Sequence, residues 1–353
     1  MPCRTEGICM WKRKIILFAA AVCAAAMLTG CAFRLTTGFG QDTVAKVNGD
    51  KIGMDSAMLL LAEMSYSYER LFDSGVWEES IGGVTAQEYV KTSVKDTLLH
   101  LKYLKLMAEK ENVAVSEAEA AKLDEAAREY WATLPQGTKT AEFDIETVRE
   151  FYGDLLLAEK VFYEATSDVD TEVSADEARV VDVQYIFVST VTFSGDGETV
   201  RLPDSEYKSK KAFAESLLSL ISEGDFAALA REYSDDSEYS LQFGSGERDA
   251  EFEKAAFALE MGSISGLVET EYGYYIIKCI NDNIESNYEK RCADIILSRR
   301  TEAFSELYAD FVKNIETEFN EGEYEKLEMK NVASGSGRLY DIFGKYFVST
   351  QLD

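Results

Sequence analysis

The chain has 353 residues, enough for two or three domains, and a 46% apolar content that can fill their cores. Its formal charge of −28 excludes nucleic acid and anionic headgroups as electrostatic partners, and no basic patch interleaved with aromatics relieves it. Three prolines exclude a Pro-rich linker protein, and a single histidine with no neighbouring Cys or His gives no metal-ligand cluster.

Residues 1–30 set Arg4, Lys12, Arg13 and Lys14 against Glu6, followed by an Ala-rich apolar run from Ile15 to Met27 that is short for a membrane span. Leu28-Thr-Gly-Cys31 follows. This order is that of an export signal, and Leu-Thr-Gly-Cys resembles a bacterial lipobox. The resemblance implies cleavage before Cys31 and lipid on its thiol; a plain signal peptide or anchor helix is the alternative, and Met10 serves as a start as well as Met1. Cys3, Cys9 and Cys23 leave with such a signal, so Cys279 and Cys292 remain, either paired or as partly buried thiols. Residues 31–43 read as a tether.

Val44 to Ile52 predicts a strand, a tight Asn-Gly-Asp turn and a second strand. Asp55 or Ser56 is placed to cap the next helix. A long helix is expected over Thr85–Glu111, carrying Val90, Val94, Leu98 and Leu101, with His100 as a satisfied surface or core residue. Ser116-Glu-Ala-Glu119 is a capping box for a helix ending near Pro135, and Asp144 starts another that runs to about Thr166. Val180–Val188 reads as a strand with Val181, Val183, Tyr185 and Phe187 on one face, and Val191–Leu202 as a hairpin around Gly195-Asp-Gly197. Tyr207–Ser222 is helical. Phe226, Leu229, Ala230 and Tyr233 form one apolar helix face, as do Phe252, Ala255, Ala256 and Leu259, with Gly262 as a C-terminal stop. Short strands begin at Val268 and cover Tyr274–Ile277. Residues 284–329 read as helical again, with Leu297, Phe304, Leu307, Phe311 and Ile315 on one stripe. Residues 330–353 read as a flexible tail with one aromatic segment.

Three motifs stand in order within about a hundred residues: Gly224-Asp-Phe-Ala-Ala-Leu-Ala-Arg-Glu-Tyr-Ser234, then Phe252-Glu-Lys-Ala-Ala-Phe-Ala-Leu, then Val268-Glu-Thr-Glu-Tyr-Gly-Tyr-Tyr-Ile-Ile-Lys278. They resemble the parvulin family of peptidyl-prolyl cis/trans isomerases. The start Ala45-Lys-Val-Asn-Gly, followed by a helix, resembles the N-terminal chaperone segment of exported foldases related to SurA and PrsA. The resemblance implies an α+β protein, a helical chaperone domain with an inserted parvulin-like domain of a small antiparallel sheet and helices. Its expected boundaries are a signal at 1–30, a tether at 31–43, a chaperone segment at 44–178, the parvulin-like domain at 179–283, a helix completing the chaperone domain at 284–329 and a tail at 330–353. The implied partners are unfolded or nascent exported polypeptides and, through lipid on Cys31, a membrane outside the cytoplasm, with a homodimer as an open assembly state. No cofactor and no metal is needed.

The family's site has two histidines, an Asp or Cys, a Thr or Ser and an apolar proline pocket. By the resemblance the histidines fall on Tyr185 and Tyr275, the Asp on Asp236 (with Asp235 adjacent), the Thr on Thr270, and the pocket on Phe252, Phe243, Leu241 and Arg248. Both histidines and the pocket Met are therefore replaced. The two tyrosines can hydrogen-bond to each other but cannot share a proton near neutral pH as imidazoles do, and Arg248 puts charge where a proline ring should be dry. The expectation is a foldase with weak or lost isomerase activity, the tyrosines serving as core aromatics. The alternative is an active isomerase using Asp236, Thr270 and the tyrosines in place of the histidines.

Overall fold

The computed structural model describes residues 39–40, 42–140, 143–194, 198–221 and 225–347. The expected signal at 1–30, Cys31, the expected hairpin turn at 195–197, Gly224 and residues 348–353 lie outside them. In chain order the elements are β1 (Thr43–Val47), β2 (Asp50–Gly53), α1 (Met54–Phe72), β3 (Ser80–Ile81), β4 (Val84–Thr85), α2 (Ala86–Lys110), α3 (Glu117–Thr133) and α4 (Ile145–Ala165). There follow β5 (Val180–Ser189), β6 (Val191–Phe193), β7 (Thr199–Arg201), α5 (Asp204–Ile221), α6 (Phe226–Tyr233), β8 (Ser240–Gly244), α7 (Ala250–Phe257), β9 (Val268–Glu269) and β10 (Gly273–Asn281). The last are α8 (Tyr288–Val312), β11 (Thr317–Phe319), α9 (Glu321–Tyr324) and α10 (Leu339–Phe347). The fold is α+β.

Local chemistry sets most of these boundaries. Asn48 and Gly49, both at positive φ, make the tight turn between β1 and β2. Reciprocal capping boxes start α2 (Thr85 with Glu88), α3 (Ser116 with Glu119) and α4 (Asp144 with Thr147). At α1 neither Asp55 nor Ser56 is the cap: that position is Gly53, without a side-chain bond, because the helix begins directly at the end of β2. α7 stops at Phe257, so Leu259 lies beyond it. Gly262, at φ 85°, instead donates its amide to the Cys279 carbonyl on β10.

The chain divides into two compact units, residues 170–299 and the rest. In the second unit the sheet order is β11-β1-β2, so strands from the two ends of the chain pair directly, with Ala45 opposite Phe319 and Val47 opposite Thr317. The expectation of helix throughout 284–329 is thereby corrected. Thr317 and Phe319 are buried while Glu318 is not, a period of two that suits an open edge of β1. The segment is clamped onto α2, where buried Lys91 donates to the Glu325 carbonyl and carboxylate, both at 2.9 Å, and Tyr324 donates to the Lys91 carbonyl at 2.7 Å. The reading of 330–353 as a tail is also corrected for its described part: Leu339 and Ile342 are fully buried. Among the described residues no helix is long and apolar enough to cross a membrane.

Residues 170–299 are built on a sheet of order β8-β5-β10-β9. β5 and β10 are antiparallel, with Tyr185 opposite Ile277 and Phe187 opposite Tyr275. Alternation sends Ile186, Val188, Tyr274 and Ile276 to a core covered by α5 and α6 through Ala214, Leu217, Phe226 and Ala230. It sends Val181, Val183, Tyr185 and Ile277 to the other face, under Phe252 and Ala256 of α7. Cys279 is a buried free thiol and Cys292 a half-buried one.

His100 sits on α2 with Nδ1 donating to the Asp96 carbonyl at 2.7 Å and its ring stacked on Tyr308 at 5.9 Å. Burial lowers its pKa from the ordinary 6.5. The unfolded chain then binds the proton more tightly, so the neutral ring's contribution to stability is present above pH 6.5 and is lost as pH falls from there through the depressed value. Because this is the only histidine, one imidazole NMR resonance should report it alone. Its midpoint is expected below 6.5, and His100→Gln should flatten the acid side of the stability curve.

Candidate functional site

The site lies on the α7 face of the β5–β10 pair. Tyr185 is carried at mid-strand, 6% exposed, and its hydroxyl donates to Asp236 Oδ2 at 2.8 Å. Asp236 is delivered by the turn after α6. Ser234 Oγ accepts from the amides of Phe187 (3.1 Å) and Asp236 (3.3 Å), and the Asp235 amide donates to the Phe187 carbonyl at 2.8 Å, which ties that turn to β5. The adjacent acids thus separate: Asp236 turns to Tyr185, while Asp235 accepts from the Ser189 amide at 2.9 Å and pairs with Lys210 at 2.8 Å.

Aromatic rings form the floor. Tyr275 stacks on Phe187 at 4.5 Å and meets the edge of Phe252 at 4.9 Å, while Tyr185 lies 5.8 Å from Tyr275 and 5.7 Å from Phe252. The position of Phe252 follows from its helix start, where Asp249 accepts from the amides of Glu251 and Phe252. Phe243 on β8 packs behind Phe252 at 5.7 Å and is 1% exposed, so it supports the floor and offers no surface to a ligand. Leu241 is half-buried against the same cluster. Arg248 is exposed. The loop before it is held by Arg291, which pairs with Glu247 at 2.5 Å and donates to the Ser245 carbonyl.

Electrostatics keep both phenols protonated. Burial is the main cause of a Tyr185 pKa well above its ordinary range, and the Asp236 carboxylate adds to it. Tyr275 is pushed up to about 12, first by burial and then by the Asp236 and Asp249 charges. The Arg248 charge opposes both shifts, so its guanidinium acts on the two rings at once.

Of the residues singled out from sequence, Tyr185, Tyr275, Asp236, Phe252 and, through its charge, Arg248 therefore meet. The hydrogen bond once open to the two tyrosines goes instead from Tyr185 to Asp236. Thr270 is engaged elsewhere: its amide and hydroxyl both donate to the Gly273 carbonyl, at 2.9 and 3.2 Å, closing the β9–β10 turn. Phe187 was missed as a site residue, although it lies two positions beyond Tyr185 on the same face. Arg291 carries no local signal, since it acts from α8. Among the described residues no group of His, Cys, Asp and Glu could hold a metal ion.

Residues 200–281 match the family described as rotamase, PPIC-type PPIASE domain, a stretch that includes Asp236, Phe252, Thr270 and Tyr275 and begins after Tyr185. The foldase protein PrsA of Caldanaerobacter subterraneus subsp. tengcongensis is 30% identical over 275 residues, covering 76% of this chain and 82% of that protein. This chain belongs to the parvulin-type PrsA family of foldases. A PrsA of Clostridium botulinum is 29% identical over 273 residues, covering 71% of this chain and 77% of that protein. The crystal structure of peptidylprolyl isomerase PrsA from Bacillus cereus covers 76% of this chain and 99% of its own, at 21% identity and a TM-score of 0.37.

Within this PrsA-family site, Gly273 is the tightest backbone position. Its φ is 155°, and a Cβ there would strike the Val188 carbonyl on β5, which cannot retreat as a side chain could. Gly273→Ala should loosen the start of β10, seen as faster amide exchange from Tyr274 to Ile276. Tyr185→Phe should leave β10 in place and cost about 1–3 kcal/mol by removing a buried donor from a carboxylate, measured by urea denaturation.

Proposed function

We propose that the chain is an exported, lipid-anchored foldase that receives unfolded or nascent exported polypeptides. Its PPIC-type domain binds prolyl segments with weak or no turnover. The observation that carries this reading is the Tyr185–Asp236 hydrogen bond at the centre of the site.

Rotation about an X-Pro bond faces a barrier of about 20 kcal/mol set by amide resonance. An enzyme lowers it by binding the twisted amide better than the planar one, which takes a dry proline pocket and polar groups free to follow the twisting amide. Here the best-placed donor and acceptor are spent on each other. Thr270 is spent on a turn, and both phenols hold their protons beyond neutral pH. Each oriented polar group lost costs about 1–3 kcal/mol, roughly ten- to a hundredfold in rate. Two such losses with Arg248 at the rim are enough to erase measurable turnover while Phe187 and Tyr275, backed by Phe252, still offer an aromatic surface to a prolyl ring.

The test is turnover on a prolyl tetrapeptide in a protease-coupled assay. The native chain should run close to the uncatalysed rate, and Tyr185→His/Tyr275→His/Arg248→Met should raise it. A native rate typical of active parvulins, abolished by Asp236→Ala, would instead establish an isomerase that uses the tyrosine–aspartate pair.

The location is supported by the basic and apolar order of residues 1–30 and by Leu28-Thr-Gly-Cys31. One acyl chain holds a membrane only weakly, so stable attachment calls for more than one. Cys31→Ser is expected to block processing or move the protein from the membrane to the soluble fraction. Unchanged processing and attachment, followed by fractionation and mass spectrometry, would refute it.

A further inference from the structure

Residues 334–347 dock on the helical unit through groups that read main chain as much as side chain. Glu63 on α1 is 7% exposed, and its carboxylate accepts from the amides of Ser336 at 2.8 Å and Leu339 at 3.3 Å. The Tyr130 hydroxyl on α3 donates to the same carboxylate at 2.6 Å. Tyr152 on α4 donates to the Leu339 carbonyl at 2.7 Å, and Thr138 donates to the Ser334 carbonyl at 2.5 Å. A carboxylate at the first turn of α10 suits the positive end of a helix. Side chains complete the fit: Leu339 and Ile342 are fully buried, Tyr340 meets Phe151, and Phe343 meets Tyr152.

The approach is closely shaped. A Cβ on Gly335 would collide with Glu63, and one on Gly337, at φ 67°, with the Tyr66 ring. α10 nevertheless takes part in no sheet, and the chain from Val332 to Arg338 contains no helix or strand. It can leave without breaking a strand pair.

We propose that this groove of α1, α3 and α4 is a binding site for a short amphipathic, aromatic helical segment of an unfolded polypeptide, and that α10 is its built-in, displaceable occupant. The client part rests on the foldase reading above. Helix-in-groove recognition needs apolar anchors one turn apart, which Leu339, Ile342 and Phe343 supply in cis. Main-chain anchoring by Glu63 and Tyr152 adds tolerance of sequence. An empty groove would leave the Glu63 carboxylate without its amide donors and an apolar lining in water, so the occupant keeps the site closed until a competing segment arrives.

The experiment uses the full chain and a fluorescent peptide of residues 334–347. Leu339→Asp/Ile342→Asp unseats α10 without touching the groove. If α10 is seated about 99% of the time, this variant should bind the peptide roughly a hundredfold more tightly than the native chain. Adding Glu63→Ala should remove the gain. A variant that keeps its circular dichroism yet binds no better than the native chain overturns the proposal. If the variant unfolds, amide exchange on the native chain decides. Protection of residues 336–347 lost well before that of α1 and α3 supports displacement, and loss together with them overturns it. Suppression of aggregation of a diluted, denatured protein is measured in parallel. Its absence in native chain and variant alike would refute the foldase reading, while peptide binding would still establish the groove.

Discussion

Both faces of β5 are buried, and the arrangement of residues 170–299 depends on that. A strand whose alternate side chains enter two cores cannot slip by one residue without exchanging Tyr185 and Phe187 for Ile186 and Val188. Its register with β10 is fixed by the same rule and by the approach of Gly273 to the Val188 backbone. Tyr185 and Tyr275 are thereby set on one face at a fixed separation, and α7 is left to bring Phe252 down onto them. The site follows from the sheet and adds little backbone of its own.

What the site does with this geometry is governed by competition for hydrogen bonds. A buried phenol needs a partner, and the turn that begins at Ser234 supplies Asp236 at the right distance. In this pair the phenol is satisfied by the carboxylate. Burial and negative charge push both phenols in one direction, and Arg248 only moderates the effect. The result is an aromatic, proton-holding floor with a cationic rim.

The helical unit solves a different problem, that of closing a domain whose two segments are separated in sequence by residues 170–299. Pairing of β1 with β11 brings the segments together, and the Lys91–Glu325 and Lys95–Glu321 contacts hold the returning chain on α2. Lys91 is buried, so its pairing is obligatory: an ammonium without Glu325 would be costly to keep there.

The elements legible in the sequence are those with local causes. Capping boxes at Thr85, Ser116 and Asp144, the Asn48-Gly49 turn and the two-residue alternation in β5 announce themselves within a few positions, because the interacting groups lie within one turn. The motifs from Phe226 to Lys278 likewise carried the family and most of the site. Tertiary structure alone decided the partner of Tyr185, the separation of Asp235 from Asp236, the role of Arg291, and the strand at Thr317. It also decided the fate of Ser334-Gly-Ser-Gly337, a composition that reads as flexible until Glu63 and Tyr66 lie close enough to require glycine. In each case the deciding contact joins groups far apart in the chain, and composition and periodicity record only what a residue does to its near neighbours.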